Sequence, residues 1–434
     1  MNIIGIIAEY NPFHVGHLYH LEEAKRRVPD SAIIAVMSGS FVQRGEPALV
    51  NKWSRAEMAL AGGADVVLEL PVLYSVRSAY WFARGAIETL QQTGVVTHLA
   101  FGAETDDPAL LQKAANILAG ETPAFQANLK HALKKGLSYP DARGQALECE
   151  DDLASSLNTF SKPNNILGIT YLQVLQELAY PLIPIIIERK GAGYDDKSME
   201  SVIPSATAIR HHLLNTAKQK PHAQAPSSED YLVALEEIKD LLPAPTYKIL
   251  LKEFEKSQGP VSLDSLSVPI MALLRRSSKE YLNSIVDVTE GLENRIMKLA
   301  QECVNLNEFL GALKTKRYTY TRLRRFLIHL LLNYTSDLES MLPGGPPYLR
   351  LLGFSERGQQ LIRLIKEKAA IPVITKGAHG KKYCCEDARY RTFWEKDILS
   401  GNLYTLLYPD ESARIGNADF LISPVTITKN NFLV

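Results

Sequence analysis

Cysteine is scarce: the chain has four in 434 residues, Cys149, Cys303, Cys384 and Cys385. They make no C-x-x-C pair, and adjacent cysteines serve neither a zinc knuckle nor a structural bridge well. Reduced thiols and no structural metal are expected. Net charge is absent as well, with 48 basic residues against 48 acidic ones. That excludes a histone-like binder working through a global field, so any nucleic-acid contact has to come from a local patch. No apolar run approaches the roughly 18 residues that span a bilayer. The apolar start of the chain meets Glu9 and Asn11 at once, unlike a signal peptide. A cytoplasmic location is the expectation. There is no internal repeat and no low-complexity tract. What remains is an ordinary globular composition, 46% hydrophobic and 22% charged, in a chain long enough for two or three domains.

The most informative stretch is 3–21, IIGIIAEYNPFHVGHLYHL. Its first six residues carry no charge and read as a strand buried on both faces, as in parallel sheets. Glu9, Asn11 and Pro12 then mark a turn, and from Gly16 onward Leu18, Leu21 and Ala24 fall at helical spacing. His14 and His17 therefore flank the start of a helix that follows a central strand. A helix N-terminus offers free N–H groups and partial positive charge, and both suit a phosphate. Two imidazoles there add donors to a phosphoryl oxygen whose charge grows in a transition state. Gly16, without a Cβ, lets a flat ring approach the backbone. The bland alternative is a capped, solvated turn.

This segment resembles the HxGH signature of the nucleotidyltransferase superfamily, whose members join ATP to an acceptor and release pyrophosphate. More narrowly, AEYNPFHVGHLYHL resembles the tRNA(Met) cytidine acetate ligase family. The resemblance implies catalytic His14, His17 and Arg210. It also implies an ATP site that takes in Ile7, Ala8, Glu9, Tyr10, Asn11, Pro12, Phe13, His14, Gly16, His17 and His20, with Gly102, Asn164, Arg189, Ser205 and Thr207 further along. ATP is then a substrate, with Mg2+ bridging its phosphates and no protein ligand nameable for the metal.

The rest of the chain supports that frame. Strand signals recur at 31–37, 64–70, 97–101 and 184–187, with helices at 53–61 and 78–92 and a mostly helical 107–178. The alternation predicts an α/β fold, a Rossmann-like doubly wound parallel sheet, and the resemblance implies that it is of nucleotidyltransferase type, an ATP-binding catalytic domain over 1–214. The long polar loop after the second strand makes Gln43, Arg44, Lys52 and Arg55 candidates for the acceptor or phosphate side, or else a solvated surface. Gly102 ends the fourth strand. Asn164 follows Pro163 at a helix start, where capping is the plainer role. Arg189 ends the fifth strand on the edge that carries the HxGH loop, with a guanidinium suited to phosphate. In PSATAIRHHL, Ser205 or Thr207 caps a helix carrying Arg210. This resembles the superfamily's second signature, except that Ala206 stands where a serine is usual.

Residues 215–230 read as a linker or exposed loop. Beyond them, 231–434 reads as a mainly α-helical second domain, with a short strand at 371–374. Within it, 314–325 (KTKRYTYTRLRR) has six basic residues, no acidic one and two tyrosines. Basic residues interleaved with aromatics suit RNA, so Lys314, Lys316, Arg317, Arg322, Arg324 and Arg325 are the tRNA-binding candidates. Smaller basic clusters lie at Arg275, Arg276 and Lys279 and over 376–391. A solvated helix face is the alternative for all three. The activity that the resemblance implies is activation of acetate with ATP, then transfer of the acetyl group to N4 of the wobble cytidine of elongator tRNA(Met). Two other readings fit the residues: adenylyl transfer to a small phosphorylated acceptor, and a non-catalytic RNA-binding protein that holds ATP.

Overall fold

The structure, a computed structural model, describes residues 1–105, 107–150, 153, 159–189, 204–216, 227–289 and 291–428. The sheet is built from β1 (Ile3–Ala8), β2 (Ala32–Ser38), β5 (Val66–Leu70), β6 (His98–Ala103), β7 (Ile183–Glu188), β8 (Leu349–Ser355), β9 (Val373–Ile374) and β10 (Val425–Ile427). Two short strands, β3 (Phe41–Val42) and β4 (Glu46–Pro47), pair with each other as an antiparallel hairpin. The main sheet runs in the order β10, β8, β5, β2, β1, β6, β7, with β9 beside β8. From β5 to β7 every ladder is parallel. Among the described ladders of this sheet, the β5–β8 pair alone is antiparallel.

β1 and β2 are uncharged because both faces are covered. Ile4, Ile33, Ile34 and Val36 are fully buried, and the helix Ala79–Gln92 comes so close to Gly5 that a Cβ there would meet Leu90 at 2.6 Å. A parallel sheet sandwiched between helices is the arrangement that near-continuous apolar strands anticipate. It is the α/β fold expected from the sequence. The region 107–178 resolves into the helices Pro108–Gly120, Pro123–Lys134, Tyr139–Glu148 and Pro163–Glu177.

The later half departs from expectation. Its helices over 263–331 do gather round a core of their own, with Leu274, Ile296, Phe309, Phe326 and Leu327 buried. Beyond 341, however, the chain returns to the first half's sheet: β8 takes the free edge of β5, and β9 and β10 extend it. The expected break between a 1–214 catalytic unit and a mainly helical 231–434 unit therefore does not hold at the sheet. Part of the expected linker, 217–226, lies outside the described residues.

A buried ionic cluster secures the added strands. Lys52 Nζ lies 2.8 Å from Glu69 on β5 and 2.5 Å from Asp419, while Arg350 on β8 reaches Glu69 at 3.2 Å and Asp419 at 2.5 Å. All four side chains are buried. Deleting one member leaves an uncompensated charge in the core, which costs about 3–5 kcal/mol. Lys52 is thus corrected from loop candidate to core residue. Arg55 is too, since its guanidinium donates to the carbonyls of Glu9, Ser38, Gly39 and Val50. No described helix is long and apolar enough to cross a membrane.

Candidate active site

The loop after β1 is held by backbone and side chain alike. Asn11 accepts the Leu49 N–H on Oδ1 at 2.7 Å, and its carbonyl accepts from Arg210 at 2.7 Å. Glu9 accepts the Gln43 N–H at 2.9 Å. Tyr10 adopts a left-handed backbone (φ 47°), and its ring packs edge-on against Phe13 and His17, each 5.0 Å away. A bulky residue persists in that conformation only where its surroundings dictate it, as they do here.

This loop aims both histidines at one place. His14 is the N-cap of the helix Val15–Arg27: its Nδ1 accepts the Gly16 N–H at 2.9 Å, and its own N–H donates to His17 Nδ1 at 3.3 Å. With both Nδ1 atoms accepting, the proton of each neutral ring is assigned to Nε2. Two Nε2–H donors result, on rings whose centroids are 3.9 Å apart. Burial, with Arg189 and Arg210 nearby, brings the His14 pKa down to about 3. Burial and the neighbouring His14 hold His17 well below its usual value. His20 falls to about 4, through burial, Arg189 and Arg27. The histidines are therefore neutral donors near pH 7 and not cations.

They open onto a cavity of about 1010 Å³. Ile7, Ala8, Glu9, Tyr10, Asn11, His14, Gly16, His17, His20, Gly102, Asn164, Arg189 and Ser205 all contribute to its wall, as do Gln43 and Arg44 from the hairpin loop. Pro12, Phe13, Thr207 and Arg210 do not. Phe13 is buried beneath Gly62, where a Cβ would strike its ring at 2.3 Å. Ser205 is the capping hydroxyl of the helix Ala206–Thr216, accepting the Ala208 N–H at 3.0 Å. Thr207 faces Arg210 at 3.4 Å. Arg210 grips the loop through the Asn11 carbonyl and stands 3.8 Å from Glu46. Its side chain acts on the loop's backbone and on the field around His14. Arg189 crosses Gly102, where a Cβ would meet its Cγ at 3.1 Å.

The basic run is divided by the fold. Lys314, Lys316 and Arg317 are exposed, and Arg317, Thr319, Thr321, Arg322 and Arg325 form another wall of the same cavity. Arg322 donates to the Asp287 carbonyl at 3.1 Å and to Thr289 Oγ1 at 2.8 Å. Arg325 pairs with Asp287 at 3.1 Å, and Arg324 pairs with Glu46. Burial raises the Asp287 pKa, but Arg325, His329, Arg322 and Arg77 outweigh it and hold the carboxyl below its usual value. Of these RNA candidates, Arg325 is thus buried against Asp287, whereas Arg324, paired with Glu46, keeps a partly exposed side chain. The helix Tyr320–Leu331 lies against the hairpin so closely that a Cβ on Gly45 (φ +75°) would strike the Arg325 backbone at 2.2 Å. Sequence reasoning missed Glu46, Asp287 and Glu104, whose roles depend on partners distant in the chain. No group of three or more metal-ligating side chains occurs among the described residues.

A parallel sheet whose first strand delivers two neutral imidazoles to a helix N-terminus, beside an arginine on the same edge, is the construction of a HIGH-type nucleotidyl transferase. A family model described as HIGH Nucleotidyl Transferase matches residues 1–419. Two curated relatives, both named tRNA(Met) cytidine acetate ligase, align over nearly the whole chain. The one from Fervidobacterium nodosum is 39% identical over 97% of this chain and 98% of its own. The one from Caldanaerobacter subterraneus is 41% identical over 97% and 98%. Crystal structures of Thermotoga maritima TmcAL superpose with TM-scores of 0.91 for the apo form and 0.89 for the form bound with alpha-thio ATP. Each is 34% identical and covers 99% of this chain and 100% of its own. The chain belongs to the tRNA(Met) cytidine acetate ligase family of HIGH nucleotidyl transferases.

Proposed function

We propose that this enzyme condenses acetate with ATP to acetyl-adenylate, releasing pyrophosphate. It then transfers the acetyl group to N4 of the wobble cytidine of elongator tRNA(Met), releasing AMP and the N4 proton. The carrying observation is that one cavity joins the HxGH histidines to the wall formed by Arg317 and Arg322. Its volume of about 1010 Å³ is at the top of the usual range for small-molecule sites, about 300–1,000 Å³, which favours two reactants over one. The names of the full-length relatives support the same reading.

In this account acetate's oxygen attacks the α-phosphorus. His14 and His17 donate from Nε2 to the α-phosphate oxygens as their charge grows, and Arg189 neutralises the phosphates. Gly102 and Asn164 hold the nucleoside. Mg2+ bound to the phosphates would lower their charge. With no clustered ligand set among the described residues, it would be held chiefly by the nucleotide itself. A free carboxylate is a poor acyl donor, whereas AMP is a leaving group the site already grips. The tRNA enters past Lys316 and Arg317, and a tRNA substrate implies a cytoplasmic enzyme.

The test supplies transcribed elongator tRNA(Met), ATP and either acetate or acetyl-coenzyme A. Acetylcytidine formed with acetate, in step with AMP and pyrophosphate, is expected. Product formed only from the thioester, or AMP retained in the product, would overturn the reading.

A further inference from the structure

Glu104 follows β6 just behind the nucleoside wall of the cavity. Its Oε2 accepts the backbone N–H groups of Asn164 and Asn165, each at 3.1 Å, and its Oε1 accepts from Asn164 Nδ2 at 2.6 Å. In return its own N–H donates to Asn165 Oδ1 at 2.7 Å. The two bonds to Oε2 serve the free N–H groups at the start of the helix Pro163–Glu177, as any helix cap does. The bond to Oε1 adds nothing to the cap. It has a different effect, because a carboxylate accepts and does not donate, so the Asn164 amide has to turn its nitrogen toward Glu104. Its oxygen is turned away, and Asn164 is part of the cavity wall beside Gly102. Fixing one end of the amide fixes what the other end offers.

We propose that Glu104 is a positioning residue that makes Asn164 a hydrogen-bond acceptor toward the nucleoside. The inference rests on ATP being the nucleotide used. The phosphates carry no donor at neutral pH, so Asn164 recognises either the 6-amino group of adenine or a ribose hydroxyl. Either group donates, and each marks a different discrimination. An acceptor facing the 6-amino group rejects a 6-oxo purine, and one facing the ribose rejects the corresponding deoxynucleotide.

The substitution Glu104→Gln keeps an oxygen for the two backbone N–H groups but places an NH2 against the Asn164 side chain. Two NH2 groups repel, so Asn164 turns over and shows its own NH2 to the cavity. Acetate-dependent pyrophosphate exchange is measured with ATP, ITP, 2′-deoxy-ATP and 3′-deoxy-ATP. In the unsubstituted enzyme one analogue is disfavoured by about 10- to 100-fold in kcat/KM, the scale of one specific hydrogen bond to substrate. In Glu104→Gln that ratio falls toward unity through a loss with ATP, while kcat at saturating ATP stays within a few-fold. Asn164→Ala, which leaves the Glu104 cap in place, erases the same discrimination. Wild-type ratios for all three analogues in either variant would overturn the proposal. Failure of the unsubstituted enzyme to exchange pyrophosphate into ATP with acetate is a separate result, which overturns the adenylate reading instead.

Discussion

Replacing His14 separates two contributions that one imidazole makes. Nδ1 caps the helix through the Gly16 N–H at 2.9 Å, and Nε2 is left to donate into the cavity. Loss of the cap in His14→Ala costs about 1 kcal/mol of stability. Loss of one preorganised donor to a charge-developing oxygen costs about 2.7–4 kcal/mol of transition-state stabilisation, roughly 10²- to 10³-fold in rate. His14→Asn divides the two effects. Asparagine is among the best N-caps, so stability should return, but its short side chain cannot reach the α-phosphate, so the rate should not. Acetate-dependent pyrophosphate exchange measures the rate, and urea unfolding followed by circular dichroism measures stability. His17→Ala should lose rate on the same scale, because its ring is the second donor. Near-normal exchange by His14→Ala would refute the donor role. Full recovery of rate in His14→Asn would show that capping is all His14 does.

The neutral histidines also set a pH dependence. In the unfolded chain His14 and His20 titrate near 6.5, whereas folding lowers them to about 3 and about 4. Below about pH 6.5 the unfolded state therefore binds protons that the folded state refuses, so stability falls as pH drops through that window. The slope approaches about 1.4 kcal/mol per pH unit for each such histidine. The urea midpoint of the ligand-free protein should fall between pH 7 and 5, and His20→Gln should flatten that fall; an identical slope would contradict the buried-neutral assignment. On the RNA side, Lys316→Ala with Arg317→Ala should weaken tRNA binding and reduce the slope of log affinity against log salt by about 0.7–0.9 for each phosphate no longer neutralised. Arg325→Ala should instead lower the melting temperature by breaking its pair with Asp287. An unchanged salt slope in the double variant would place the RNA elsewhere.

The strand, turn and helix over 3–27 were legible because every local signal agreed: an uncharged run, an Asn-Pro turn and apolar residues at helical spacing. The alternation that followed pointed to the parallel core for the same reason. β8 was not legible. LRLLGFS carries an arginine, which reads as solvent-facing, yet Arg350 is buried because Glu69 and Asp419 wait for it from remote segments. The helix Ala388–Thr405 was hidden in the same way: Asp397 lies in its buried face, accepting from Tyr348 at 2.6 Å and from the Val72 N–H at 2.7 Å. Lys52, Arg55, Arg324 and Arg325 share this lesson. Their charges were visible, but partners distant in sequence decided which way they face. In the site, His14, Gly16 and His17 stood out by their place at a strand-to-helix turn, whereas Gly102 entered only through the family resemblance. Glu104 could not be picked out at all, since its meaning is the orientation it imposes on another side chain.

The antiparallel seam between β5 and β8 has a consequence for the order in which this protein is made. During synthesis the nucleotide-binding strands emerge first, and β5 then presents a bare edge whose Glu69 has no arginine opposite it. An unpaired edge is a template for the wrong neighbour. The seam closes only when the chain has run through its whole helical middle and delivered Arg350 and Asp419. An amino-terminal fragment cut after the Arg210 helix would thus hold every histidine of the site and still keep an open edge. Its fate should be self-association, and catalytic competence arrives only with the later strands.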